Sequence, residues 1–249
     1  MTLVGLIIPV IMVVSCRTTE KETLRVAVAA NLQFAIEELV TVFEADSGIP
    51  CEVILGSSGK LTAQILEGAP FDIFMSADMK YPNKIYEEGL GWSSPVVYAY
   101  GNLVLWTLRE DVEPELSSLM DEQVAHIAIG NPKTAPYGVA ALAVLDKTGL
   151  AGKLSNKLVF GESISQTNQF IISGAADIGF TSQAVVKSDK MQHVGHWKAI
   201  DTALYPRMAQ GLILLKGVER KVDMAIRFRE FIQSDKGKEI LHKFGYEIS

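Results

Sequence analysis

Four short segments carry small and hydroxyl residues where an apolar run gives way to a helical pattern. They are Ala29-Ala30-Asn31, Gly56-Ser57-Ser58-Gly59, Pro132-Lys133-Thr134-Ala135-Pro136-Tyr137-Gly138 and Gly161-Glu162-Ser163-Ile164-Ser165. A helix start leaves its first backbone N–H groups without intrahelical acceptors, and the helix dipole adds partial positive charge there. Several such starts converging on one point would hold a small anion through uncharged amides and hydroxyls, because hydrogen bonds to an ionised acceptor are the strong ones. Taken singly, each segment reads more readily as an ordinary N-cap than as a binding site. Their distribution, two in each half of the chain, is what suggests a clamp. Lys60 and Lys133 lie beside these segments and read as solvated surface residues.

Other chemistries find less support. Gly56-Ser57-Ser58-Gly59-Lys60-Leu61-Thr62 superficially suggests a phosphate-binding loop, but it lacks the four-residue spacer before Gly-Lys, and Thr62 falls one place late. His126, His193, His196 and His242 are scattered, and the His193/His196 pair flanks a glycine, so a metal role is not expected. There is no Gly-x-Ser-x-Gly elbow and no histidine at a junction, which argues against an enzyme. The formal net charge of −6 argues against nucleic acid. It also means that any anion site must override the global field locally. Cys51 opens an apolar run and is expected to be a small core residue.

The elements that must position these junctions alternate strand and helix. The first half reads as β-type at 24–29, helical at 32–43, β-type at 51–55, helical at 60–66, β-type at 71–75 and helical at 81–88. The second half repeats the order: β-type at 124–129, helical at 138–147, β-type at 157–160, helical at 163–172 with Ser163 and Gln166 in capping-box spacing, and β-type at 178–181. Long β-type runs at 96–108 and 208–215 lie between the halves, and the tail 219–244 reads as helical. This alternation predicts an α/β fold of two lobes, each a mainly parallel sheet flanked by helices, with chain crossings near 98–103 and 203–209 as the hinge. In such sheets ligands bind at the carboxyl ends of strands, which is where the four junctions fall.

The N-terminus carries a separate signal. Residues 1–15 are uncharged and almost wholly apolar, too short a run to span a bilayer but of a length that suits a secretory leader. Val13-Val14-Ser15-Cys16 resembles a bacterial lipobox, although no Lys or Arg precedes the apolar run. The expected division is a leader at 1–15, a tether at 16–23 beginning at a lipidated Cys16, a first lobe of 24–99 with 206–249, and a second lobe of 100–205. With Cys16 lipidated and Cys51 alone, no intramolecular disulfide is expected.

From Leu24 to Ile248 the sequence resembles the molybdate-binding proteins of bacterial molybdate ABC importers, which are type II periplasmic binding proteins. The landmarks are Val26-Ala27-Val28-Ala29-Ala30-Asn31-Leu32, Gly56-Ser57-Ser58-Gly59-Lys60-Leu61, Asn131-Pro132, Pro136-Tyr137-Gly138, Gly179-Phe180, Tyr205-Pro206 and Lys243-Phe244-Gly245-Tyr246. The most specific is Gly68-Ala69-Pro70-Phe71-Asp72-Ile73-Phe74-Met75-Ser76-Ala77-Asp78.

The resemblance implies a two-lobed periplasmic or surface lipoprotein, acting as a monomer without a cofactor. It would capture molybdate or tungstate and pass it to the membrane permease and ATPase of an ABC importer. It implies an oxyanion site formed by Ala30, Asn31, Ser57, Ser58, Tyr137 and Ile164, with Asn31, Ser58, Tyr137 and Ile164 as the principal contacts. Around Gly179-Phe180-Thr181-Ser182-Gln183-Ala184 the chain lacks the tyrosine that some relatives carry, so Ser182 or Gln183 would take its place. The alternatives are a receptor for sulfate, thiosulfate or phosphate, with Asp72 or Asp78 accepting the phosphate proton, an iron receptor using Tyr137 and Tyr205, a secreted enzyme on the same fold, or a sensor domain.

Overall fold

In the computed structural model, which describes residues 22–217, 219 and 221–248, the apolar run Leu24–Ala29 forms β1. The expected leader and Cys16 lie outside the described residues. Leu24, Val26 and Val28 pack into one core and Ala27 into another, so β1 is covered on both faces and shows no polar alternation. A short 3-10 turn, Ala30–Leu32, leads into α1 (Gln33–Ser47). Ala35, Ile36, Leu39 and Phe43 form the buried stripe of α1, at the spacing of one helix face. The helix ends where Gly48 takes φ +69° and donates its N–H to Glu44 O at 2.9 Å.

The chain continues through β2 (Cys51–Gly56), α2 (Ser58–Leu66), β3 (Ile73–Ser76), α3 (Lys80–Glu87), β4 (Val96–Gly101) and β5 (Leu103–Thr107). Then come β6 (Ile127–Gly130), α4 (Pro136–Lys147), α5 (Ala151–Leu154), β7 (Leu158–Gly161), α6 (Ile164–Ile172) and β8 (Ile178–Ser182). The last elements are α7 (Gln183–Val186), β9 (His196–Ala199), β10 (Met208–Leu214), α8 (Val222–Gln233) and α9 (Asp235–Lys243).

The strands make two five-stranded sheets of matching order, β2-β1-β3-β10-β4 and β7-β6-β8-β5-β9. Each is mixed: four strands run in one direction and a single strand, β10 in the first sheet and β5 in the second, runs against them. The helices α1, α8 and α9 cover one face of the first sheet and α2 and α3 the other. In the second sheet α4 packs on Leu103, Leu105, Ile127 and Ile129, while Ile171 of α6 packs on the opposite face with Val104 and Ala128.

The β-type run at 96–108 is two strands in different sheets, broken at Asn102. Asn102 is held from both sides: its Nδ2 donates to Gly245 O at 3.2 Å, and its carbonyl accepts the Gln183 N–H at 2.9 Å. The return crossing lies between β9 and β10. The helical tail also divides, at Ser234, whose extended backbone and side-chain bond to the Gly237 N–H cap α9. Cys51 is half-buried, and burial, reinforced by Glu44, pushes its thiol up to about 12. It is therefore not a thiolate at neutral pH.

Strand register brings the junctions together in pairs. β1 and β2 pair in parallel until Ala29 stands beside Gly56, and β6 and β7 until Gly130 stands beside Gly161. Each sheet thus delivers two of the four junctions about 4.8 Å apart at its carboxyl edge.

Candidate functional site

The two sheet edges face each other, and the junctions frame a small pocket of about 10 Å³. Its lining is Ala29, Ala30, Asn31, Ser57, Ser58, Ala77, Ala135, Pro136, Tyr137 and Ile164. No charged side chain is among them. This space, close to what holds a single water, is far below the roughly 300–1,000 Å³ typical of drug-sized ligands, which leaves room only for a small, compact ligand.

Local chemistry explains how each group is presented. Ser57 is the N-cap of α2, with Oγ accepting the Lys60 N–H at 3.4 Å. Ser58 is the first residue of that helix and is 1% exposed. Its Oγ accepts the Ala77 N–H at 3.0 Å, so the hydroxyl proton is left for another acceptor. Pro136 opens α4, where a missing N–H costs nothing, and places the Tyr137 amide in the first turn. Ile164 opens α6 behind its cap Ser163, which accepts the Gln166 N–H at 3.3 Å. The amides of Ser58, Tyr137 and Ile164 therefore have no carbonyl within their own helices to bond. The positive ends of three helix dipoles meet here, which offsets the chain's net negative charge over the short range that matters.

Six of the expected residues thus come together: Ala30, Asn31, Ser57, Ser58, Tyr137 and Ile164. Ser182 lies behind the wall, donating from Oγ to the Tyr137 hydroxyl at 3.0 Å and accepting the Ala184 N–H at 3.3 Å. Neither neighbouring lysine lines the cavity. Lys60 pairs with Glu162 across the cleft at 2.8 Å, and the Lys133 carbonyl accepts the Tyr81 hydroxyl at 3.2 Å. The Gly59 N–H, which could have faced an anion, donates to Thr134 O in the other lobe at 2.9 Å. On the opposite rim Ser165 Oγ donates to Gln33 Oε1, and Lys190 pairs with Glu37 at 2.7 Å. Both rims are tied, so the cleft is closed.

The carboxylates considered for a proton-bearing ligand are engaged elsewhere. Asp72 accepts the Arg25 N–H at 2.8 Å and Lys221 Nζ at 2.9 Å, at the far end of β1. Asp78 accepts the Tyr81 N–H at 3.3 Å, ahead of the first turn of α3. Tyr205 accepts the Leu103 N–H at 3.1 Å rather than pairing with Tyr137. His196 Nε2 lies 2.8 Å from Val112 O, and among the described residues no cluster of His, Cys, Asp or Glu could hold a metal ion.

Beneath the cavity lies a polar layer that the junctions alone do not reveal. Asn31 Nδ2 donates to Gln210 Oε1 and to the Tyr246 hydroxyl, both at 2.9 Å, and that hydroxyl donates back to Asn31 O at 3.1 Å. A sequence signal for Gln210 did exist: it is the polar residue within an otherwise apolar strand.

Tyr98, Tyr137 and Tyr246 share this layer. Burial raises the pKa of each hydroxyl, and Tyr137 adds to the effect on the other two. Unfolded tyrosines ionise near pH ~10. Below that pH both states hold the proton and the shifts contribute nothing. Above it the unfolded chain releases protons that the folded chain retains, so stability falls as pH rises. Denaturation at increasing pH is expected to show constant stability up to about pH 10, then a decline approaching ~4 kcal/mol per pH unit for three groups. A flat profile through that range would mean the three hydroxyls are accessible to ionisation in the folded state.

Residues 24–247 match the family described as bacterial extracellular solute-binding protein. The molybdate-binding protein of Azotobacter vinelandii is 35% identical over 227 residues, covering 90% of this chain and 89% of that protein. Its counterpart from Rhodobacter capsulatus is 36% identical over 224 residues, covering 88% and 86%. The solved structure of the Azotobacter vinelandii periplasmic molybdate-binding protein superposes with a TM-score of 0.86 at 33% identity, covering 91% of this chain and 99% of that one.

Proposed function

This chain belongs to the bacterial extracellular solute-binding proteins, and from that premise we propose that it captures molybdate or tungstate and delivers it to an ABC importer. The observation that carries the reading is the small closed cavity, walled by two strand-to-helix junctions from each sheet and free of charged side chains. A tetrahedral dianion loses its hydration on entering, and amides and hydroxyls of Ala30, Asn31, Ser57, Ser58, Tyr137 and Ile164 replace it, with Ser182 acting through the Tyr137 hydroxyl. Relatives named as molybdate-binding proteins support this choice of anion.

The protein works as a binder rather than an enzyme. No Asp, Glu, His, Cys or Lys lines the cavity to move a proton. It needs no cofactor, acts as a monomer, and meets a membrane permease and its ATPase. The lobes, expected as 24–99 with 206–249 and 100–205, hinge at Asn102, slightly beyond the expected boundary because β4 runs to Gly101, and at the return crossing before β10. The mature chain begins at a lipidated Cys16, which holds it at the periplasmic or outer face of a membrane. Cys16→Ser is expected to move the protein from the membrane to the soluble fraction; wild-type protein that is already soluble and unlipidated in its own host overturns the anchor.

Titration calorimetry with molybdate, tungstate, sulfate and phosphate tests the function. Molybdate and tungstate are expected to bind with similar affinity, since they are alike in size and charge, and sulfate and phosphate about a hundredfold more weakly, equivalent to ~3 kcal/mol. Preference for sulfate or phosphate would reassign the ligand, and absence of binding to all four would remove the oxyanion reading.

A further inference from the structure

We propose that Gln210 is a positioning residue that sets the anion selectivity of the cavity, acting through Asn31; this rests on the proposed oxyanion-binding function. Gln210 is fully buried in β10, at an irregularity of register between Gln210 and Gly211 in the pairing with β4. Such a bulge re-aims a side chain out of the normal alternation. Its carboxamide has only one workable orientation. Nε2 donates to Ala77 O at 3.1 Å and to Met208 O at 3.4 Å, so Oε1 must face the other way. There it accepts Asn31 Nδ2 at 2.9 Å. Asn31 is oriented in turn, because reversing its carboxamide would set two oxygens against each other.

Two of the three polar residues that the first sheet's junctions place in the lining, Asn31 and Ser58, therefore hang on Gln210. Asn31 is held directly. Ser58 is held through the Ala77 peptide, whose N–H reaches Ser58 Oγ at 3.0 Å and whose carbonyl takes Gln210 Nε2. The same arrangement leaves Asn31 Oδ1 as a buried acceptor without a hydrogen-bond partner, in a residue that lines the cavity. A bare carbonyl oxygen in a wall of donors repels the oxygens of an anion. An ion that fills the cavity rests on the amides and stands clear of it. A smaller one gains full hydrogen bonding only if the wall follows it inward and carries Oδ1 with it. Fixing that wall penalises the smaller ion, which is selectivity by a placed repulsive element.

The test compares molybdate and sulfate binding in wild type, Gln210→Met, Asn31→Ala and the double variant, with melting measured without ligand. Gln210→Met keeps length and removes the amide. It is expected to lower the molybdate-to-sulfate affinity ratio at least tenfold, mainly by strengthening sulfate, whose penalty the fixed wall imposes. In the Asn31→Ala background the same change should leave the ratio nearly unaltered. A merely structural role would weaken both anions equally and add independently of Asn31, and either result overturns the proposal. If Gln210→Met does not fold, Tyr246→Phe removes the other anchor of Asn31 and is expected to lower the ratio several-fold; an unchanged ratio there overturns it. A wild-type protein that binds sulfate as well as molybdate would overturn both this inference and the function on which it rests, whereas preserved wild-type preference with an unmoved variant ratio overturns this inference alone.

Discussion

Ser58→Ala is expected to weaken molybdate binding about ten- to a hundredfold. The hydroxyl accepts the Ala77 N–H, so its own proton is free for the anion. Losing one hydrogen bond to a charged group inside a desolvated site costs about 1.5–3 kcal/mol. The substitution has a second effect, because Ser58 is buried and not an exposed cap. It strips the Ala77 amide of its acceptor, and an unsatisfied buried donor costs roughly 1–3 kcal/mol of stability. Affinity must therefore be measured well below the melting temperature, where both proteins are fully folded. Ser57→Ala is the control. Its Oγ makes only a long cap bond at 3.4 Å, and replacing such a cap costs about 0.5–2 kcal/mol of stability, with a milder effect on binding. Equal losses of affinity in the two variants, following their melting points, would reduce Ser58 to a structural residue.

Gly59→Ala is expected to move stability and binding in opposite directions. Gly59 sits inside the first turn of α2, with its N–H on Thr134 O of the other lobe. A β-carbon there would lie 2.9 Å from the Thr134 Cα and 2.9 Å from the Tyr81 hydroxyl. The tyrosine can swing away, but the Thr134 backbone can yield only if the lobes part. Overpacking of this kind costs about 1–3 kcal/mol, and here the cost falls on the closed form alone. Ligand affinity should therefore drop about five- to a hundredfold. The open form gains instead, since alanine favours a helix over glycine by up to ~1 kcal/mol. The ligand-free melting temperature should hold or rise while calorimetry records weaker binding. Unchanged affinity would show that the lobes approach less closely in the bound protein than this rim contact implies.

Much of this molecule is legible in its residue order. Strand and helix alternation is written in local periodicity, and burial on both faces is why β1 reads as an unbroken apolar run. Glycine stops and serine caps mark helix ends because they act within a few residues, as at Gly48 and Ser163. Junction chemistry is equally local, so residue type and position nominate the four junction segments; singling out Ala30, Asn31, Ser57, Ser58, Tyr137 and Ile164 within them is what the resemblance to molybdate-binding proteins adds. The apolar run at 96–108 cannot be divided that way. β4 and β5 are alike in composition, and only the sheets they join distinguish them.

Residue order therefore specifies an inventory: which strands exist, where helices begin, and which donors stand at those beginnings. How those donors are used is a matter of the folded chain. Whether an N–H serves an anion or a protein carbonyl depends on what lies across the cleft, and so the Gly59 amide goes to Thr134 while Ser58 faces the cavity. The same holds for Asn31, which a partner 179 positions away turns and holds. Contacts of that separation are set by strand order and lobe closure. Hydrogen-bonding direction, unlike helix propensity, is not a property of the residue that donates.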